Sequence, residues 1–266
     1  MRTVSVINLK GGVGKTLSSV NMAHILAAVH GQRVLLVDND KQGNASRMLG
    51  RHSYGKPGTA EILTDPGVDM EELVRHTDYE GLDIVTANMN LLSACLAVLM
   101  DRKRPRETRL RKALEQVEER YDFCIIDNAP DINISTVNAL VASDDVLVPV
   151  TIDEFALDGL AELKEQIDNT RRELNPALRF CGCFITRYDR LNEADRQGQE
   201  YLETLAEYPL FHTRIRRTVK MKQSTFAREP ILLYSSRCGA SRDYKELVEE
   251  YLGMCPGRTR KGEDRK

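Results

Sequence analysis

The stretch from Asn8 to Thr16, N-L-K-G-G-V-G-K-T, constrains this chain more than any other. A short apolar alternation (Val4, Val6, Ile7) precedes it and an amphipathic run (Val20, Ala23, Leu26, Ala27) follows, so the order reads strand, glycine loop, helix. Gly11, Gly12 and Gly14 lack a Cβ, which lets successive backbone N–H groups turn toward one anion while the helix N-terminus adds its dipole. That is a phosphate-binding geometry. Lys15 then reaches the β- and γ-phosphates of a nucleotide, and the Thr16 hydroxyl ligates Mg²⁺.

The general pattern G-x-x-x-x-G-K-[ST] expects glycine six positions before the lysine, where this chain has Leu9 with a second lysine, Lys10, beside it. A lysine so early in the loop is poorly placed for its own γ-phosphate but can reach a neighbour's. K-G-G-V-G-K-T with that extra lysine resembles the deviant Walker A motif of the ParA/MinD superfamily of P-loop proteins. The resemblance implies a face-to-face dimer in which Lys10 crosses to the partner's phosphates. It also implies a nucleotide-binding set of Lys10, Gly11, Gly12, Val13, Gly14, Lys15, Thr16 and Leu17, with Lys10 and Lys15 serving catalysis.

At 266 residues the chain is long enough for one α/β domain with a substantial core, expected over 1–255, and no linker divides it. Charged residues are 29% of the chain, yet the net charge is −2, so an anionic partner has to be held by local clusters. The six cysteines (Cys95, Cys124, Cys181, Cys183, Cys238, Cys255) show no C-x-x-C spacing and read as free thiols of a reducing cytoplasm rather than metal ligands. No leader is evident and no segment approaches the roughly 18 apolar residues that would span a bilayer, so a cytoplasmic protein is expected.

Arg33 to Asp38 (R-V-L-L-V-D) reads as a buried parallel strand, whose tip would lie at the ligand edge of a doubly wound, mostly parallel sheet with helices on both faces. Asp38 and Asp40 therefore face phosphate or magnesium. The segment D-N-D-K-Q-G-N is similar to the ParA-type D-x-D-P-Q-G-N, which implies that Asp40 orients the attacking water and that Asp38 lies near the metal shell. Lys41 replaces the usual proline, frees φ and restores an N–H, so a more mobile loop is expected.

Residues 50 to 80 say little beyond short helical pieces at Thr59 to Leu63 and Met70 to Arg75. Gly81 to Thr86 reads as a strand, and Met89 to Met100 as an apolar helix whose methionines and leucines fill core. Asp101 to Lys112 carries seven basic residues against two acidic ones. It is either a solvated basic face or an accessory DNA or partner surface, with a new helix placing Leu110, Ala113, Leu114 and Val117 inward.

Tyr121 to Pro130 (Y-D-F-C-I-I-D-N-A-P) is an apolar strand ending in Asp127, the Walker B arrangement in which a carboxylate at the strand tip binds Mg²⁺. The metal set is thus Thr16, Asp38 and Asp127. The family commonly has D-x-P-P, so Asn128 and Ala129 are departures. Asp145 to Val150 reads as strand, and F-A-L-D-G-L from Phe155 opens a long helix as in relatives. Arg179 to Arg187 reads as a further strand. Thr186 and Asp189 stand where relatives carry a T-x-x-D tetrad near the base.

Thr213 to Gln223 (T-R-I-R-R-T-V-K-M-K-Q) has five basic residues and no acid. It lines up with a C-terminal family segment whose basic residues bind DNA without sequence preference. The resemblance carries that role to Arg217 and Lys220, and the local charge extends it to Arg214, Arg216 and Lys222. About five phosphate contacts per subunit would give a dimer a log–log salt slope near −9 at most. The tail from Pro256 to Lys266 reads as disordered and lacks the amphipathic helix with which MinD-like proteins hold lipid.

The resemblance to ParA/Soj-type partition ATPases runs from Val4 to about Leu252. It implies ATP and Mg²⁺ as cofactors, an ATP-dependent homodimer that is nucleoid-associated, non-specific DNA as the surface gripped, slow turnover, and a ParB-like centromere-binding partner that accelerates it. Rival readings are a MinD-like membrane or protein-cargo positioning ATPase and a nitrogenase-reductase-like electron carrier. The second needs cluster-binding cysteines in glycine-rich settings that Cys95 and Cys124 lack.

Overall fold

The computed structural model describes residues 1–153 and 156–255, so the expected tail from Pro256 lies outside the described residues. Five apolar runs supply most of the sheet: β1 (Arg2–Val6), β2 (Val34–Asn39), β5 (Phe123–Asn128), β6 (Asp145–Val150) and β7 (Arg179–Ile185). Every residue of β2, β5 and β6 is buried, the burial expected of strands covered on both faces. With β3 (Val74–His76) and β4 (Leu82–Val85) they form one sheet ordered β3-β4-β2-β5-β1-β6-β7. All pairings are parallel except β3 with β4. The doubly wound, mostly parallel α/β architecture expected from the sequence is therefore the one found.

Alternate side chains of each strand face opposite layers. Val34 and Leu36 of β2 join a core with α1 (Lys15–Ala28), α2 (Asn44–Met48), α11 (Ile231–Tyr234) and α12 (Gly239–Met254). Leu35 and Val37 face the other way, against α6 (Arg109–Glu115), whose Leu110, Ala113 and Leu114 are buried as the sequence predicts. The same layer holds α3 (Thr59–Thr64), α4 (Met70–Leu73), α5 (Asn90–Met100) and α7 (Ile134–Ala142). α8 (Ala156–Glu173) covers β6 and β7 through Leu160, Leu163 and Ile167. α9 (Glu193–Thr204) and α10 (Val219–Ala227) lie toward the surface, each with one buried residue.

Two expectations are corrected. The piece read as helix through Arg75 stops at Leu73, and Val74–His76 becomes an antiparallel edge strand against β4. Three residues are too few for alternation to announce a strand. The second concerns α5, whose apolar residues do not all fill core. Leu91, Ala94, Cys95 and Val98 are buried, whereas Met89, just before the helix, and Leu92, Leu96, Leu99 and Met100 are exposed. The helix is apolar around its circumference, so composition alone could not say which side was covered.

The basic stretch from Asp101 to Lys112, which runs into α6, is largely used within the fold. Arg104 and Arg109 both bond Asp101, Arg109 also bonds the carbonyl of Leu63, and Arg111 bonds that of Val141. The six cysteines are free, four of them buried. Among the described residues no helix is long and apolar enough to cross a membrane.

At the amino edge of the sheet, Asp145 is fully buried and bonds Arg2 at 2.5 Å, Arg179 at 2.7 Å and the Tyr251 hydroxyl at 2.7 Å. Burial alone would raise its pKa, but the bonds from Arg2, Tyr251 and Arg179 outweigh it and hold the carboxyl below its ordinary value. A depressed folded-state pKa gives stability that is present above the unfolded value and lost as pH falls through the folded one. Asp145→Asn is expected to cost about 3–5 kcal/mol, because two guanidinium groups lose a buried partner. Its destabilisation relative to wild type should shrink in acid. Urea melts at pH 7 and pH 3.5 measure both.

Candidate active site

The carboxyl ends of β1, β2 and β5 meet at one edge, and the loops leaving them carry the three motifs. The loop after β1 ends at Gly14, which caps α1 with φ 89°, a left-handed conformation that glycine adopts without strain. Asn8 holds the loop from behind: its amide donates to the Pro149 carbonyl, and its Oδ1 accepts from the Lys10 N–H. Lys15 is buried and its Nζ donates to the Lys10 carbonyl at 2.8 Å. Burial lowers the Lys15 pKa, against the pull of Asp127, Asp40 and Asp131. The ammonium is thus folded over the loop, poised for an anion in its cradle.

Parallel register places Asp38 of β2 level with Asp127 of β5, so two buried carboxylates share one rung. Burial raises both pKa values, and their mutual repulsion adds to the rise at Asp127. Asp38 is well supplied with donors. Its Oδ2 accepts from the Ser46 N–H at 2.8 Å and hydroxyl at 2.7 Å, and its Oδ1 accepts from the Asp40 N–H at 3.2 Å. Asp127 is different. Its Oδ1 accepts from Ser19 at 3.0 Å, while Oδ2 is buried without a partner, and the nearby Thr16 hydroxyl favours the ionised carboxylate. An orphaned buried carboxylate oxygen beside the Thr16 hydroxyl fits a Mg²⁺ ligand. Among the described residues no three His, Cys, Asp or Glu side chains gather to hold a metal alone. The residues therefore fit an ion shared with a ligand's phosphates.

Asp40, buried at the start of the next loop, accepts from the Gln42 N–H at 2.9 Å, and its carbonyl accepts from Gly43. Gly43 has φ 63°, and a Cβ there would lie 2.5 Å from the Ala87 carbonyl oxygen, so the Gln-Gly step of the motif is a packing requirement. Lys41, expected to free its loop, has its Nζ 3.4 Å from Asp131 in the loop after β5. The Asn128 and Ala129 departures also have a local account. Asn39 and Asn128 are register partners, and the Asn39 amide donates to Asn128 Oδ1 at 2.9 Å, while Asn128 donates back to the Ser5 hydroxyl and Val6 carbonyl. Ala129 is buried behind them.

Lys10 is half-buried, and its Nζ pairs with the carboxylate of Asp153 in the same chain. Thr186 donates to the Val13 carbonyl at 2.8 Å and packs on Gly14, so it supports the glycine loop. The tetrad's Asp189 is occupied by the Leu191 N–H. Sequence reasoning missed Ser19, Ser46, Asp131, Asp153 and this role of Thr186. Ser19 alone left a signal: it sits one helical turn after Lys15, on the face that must meet the next strand.

The five cations of the 213–223 cluster divide into two kinds. Arg214 pairs with Glu203 at 3.0 Å and lies over the Tyr188 ring, and Arg216 forks onto the buried Asp243 at 2.6 Å. Arg217, Lys220 and Lys222 are exposed, and among the described residues no ion pair holds them. Lys220 lies 5.9 Å over the Tyr234 ring.

Residues 1–180 match the sequence profile of the AAA domain family. The chain is 35% identical over 250 residues to the sporulation initiation inhibitor protein Soj of Bacillus subtilis, covering 94% of this chain and 97% of that one. It is 34% identical to the chromosome partitioning protein ParA of Caulobacter vibrioides, covering 95% and 94%. The crystal structure of cobyrinic acid a,c-diamide synthase from Mycobacterium smegmatis with bound ADP and magnesium superposes with a TM-score of 0.82 at 29% identity, over 95% of this chain and 94% of that one. Sequence match, strand order and the early lysine agree, and the chain belongs to the ParA/Soj family of P-loop proteins.

Proposed function

We propose that this protein is an ATP-dependent switch: a Mg²⁺-ATPase that pairs with a second copy when loaded, grips DNA in that state, and lets go after hydrolysis. The observation that carries the reading is the orphaned Asp127 Oδ2 beside Thr16 and Ser19, at the mouth of a glycine loop whose lysine is already folded inward. Thr16 and Asp127 would hold Mg²⁺ together with phosphate oxygens, while Asp38, occupied by Ser46, holds the neighbouring loop and adds negative charge. Bound magnesium supplies charge neutralisation at the phosphates. This chain's residues do the rest. Backbone amides from Gly11 to Leu17 cradle the phosphates, Lys15 neutralises their charge, and Asp40 orients the attacking water. Lys10 serves the other subunit's nucleotide.

Turnover is expected to be slow without a partner, because a switch that fires at once never accumulates its gripping form. The names of the Soj and ParA relatives support a role in moving DNA, with a ParB-like centromere-binding protein as the accelerating partner. On this reading the protein works in the cytoplasm, and on the nucleoid when ATP-bound.

Arg217, Lys220 and Lys222 are the cations left to meet DNA, since Arg214 and Arg216 are held by Glu203 and Asp243. Three per subunit would neutralise about six phosphates in a dimer, so log affinity should fall with log salt at a slope near −5 rather than −9. The test is a DNA titration with ATP, ADP and no nucleotide across a salt series. Binding confined to ATP with that slope is expected, and Lys222→Ala should shallow it by about 2 in the dimer. Equal binding in all three nucleotide states would overturn the switch.

A further inference from the structure

Outside the nucleotide site, a groove of about 470 Å³ lies between α5 and the start of α7. Leu92, Leu96 and Leu99 form one wall and Ile132 the other, Asn39 lies at the floor, and the Lys41–Asp131 pair lies at the rim. The leucine wall is exposed at 45%, 60% and 50%, and Met100 beyond it at 81%. They recur at three- and four-residue spacing, so they form one stripe. α5 carries no charged side chain in eleven residues, although charged residues make up 29% of the chain. An apolar stripe without charge is unlike a solvated face and gives a polyanion nothing to bind; it resembles the core of a protein interface, where charged residues are depleted.

We infer that this groove and stripe form the apolar part of the contact with a second copy of the chain, an inference that rests on the ATP-dependent dimer proposed above. Position argues for a second copy. Lys41 directly follows Asp40, and Asp131 and Ile132 lie just past Asp127, so the groove opens at the sheet edge that Lys10 has to present to a partner. Area argues the same way. A stable pair needs about 800 Å² buried per subunit with an apolar centre, and the glycine loop and acidic loops at this edge are small and polar. A two-fold axis makes one patch serve both subunits, so a single stripe supplies both halves of that centre.

Leu96→Glu tests the inference, because the side chain is exposed enough for an isolated subunit to accept glutamate. Sedimentation with a non-hydrolysable ATP analogue and Mg²⁺ should show the dimer dissociation constant raised on the order of 100-fold, since the charge would be buried on pairing. Binding of the analogue to the monomer and the melting temperature should stay at wild-type values. Leu96→Ala, which cannot disturb folding by charge, should weaken the dimer about tenfold. A wild-type dimer matched by an unchanged Leu96→Glu dimer would overturn the inference while sparing the proposed function. If that unchanged dimer also lost stimulation by a centromere-binding protein, the groove would belong to a different partner, which overturns it too. A wild-type chain that binds the analogue and stays single would remove the dimer reading and this surface with it.

Discussion

Asp40→Ala is expected to slow ATP hydrolysis by about 10²- to 10⁴-fold, the range for removing a group that handles the attacking water's proton, while nucleotide binding stays near wild type. Its consequence is a trapped state: with ATP the variant should accumulate as a DNA-bound dimer that wild type forms only transiently. The side chain has two jobs in the structure, and the variant has to separate them. It accepts from the Gln42 N–H and so shapes the loop, and it ends at the edge where Lys15 and Asp127 converge. Asp40→Asn retains an oxygen for the Gln42 bond but cannot take a proton. Single-turnover hydrolysis as slow in Asn as in Ala places the loss in chemistry; a fast Asn variant would mean that loop shape was the whole effect, and the water-orienting role would fall.

The sheet and the phosphate loop were legible because their signals are local. Apolar runs ending in Asp38 and Asp127 define strand tips, and parallel pairing then brings the two carboxylates to one rung without further information. What the sequence could not announce were contacts between distant segments. Ser46 engages Asp38, Asp243 engages Arg216, and Thr186 bonds the Val13 carbonyl across 173 positions. Charge clusters illustrate the point best. Five cations between Thr213 and Gln223 look equivalent in sequence, yet Arg214 and Arg216 are neutralised by acids from α9 and α12. The contact of Lys41 with Asp131 was likewise invisible in the sequence, because the two lie 90 residues apart.

Lys10→Ala should abolish ATP-driven pairing while leaving the affinity of the single subunit for ATP within a few-fold of wild type. The expectation follows from where the side chain now lies. Its Nζ pairs with Asp153 of the same chain, on the rim, while Lys15 alone folds over the glycine loop. The Lys10 side chain thus stays out of its own cradle in this conformation, although its backbone helps hold the loop, and the ammonium can be recruited elsewhere. Both members of the pair are more than a third exposed, at 35% and 37%, so solvent screens the attraction and releasing Lys10 costs about 1 kcal/mol or less. A partner's triphosphate, with several charges and fixed geometry, outcompetes one half-exposed carboxylate. Asp153→Ala is the informative companion. If the ion pair merely parks the lysine, its removal leaves pairing intact or slightly strengthens it, whereas Lys10→Ala eliminates it. Sedimentation of both variants with an ATP analogue reads the difference directly, and a Lys10→Ala protein that still pairs like wild type would leave the early lysine without a role in the shared site.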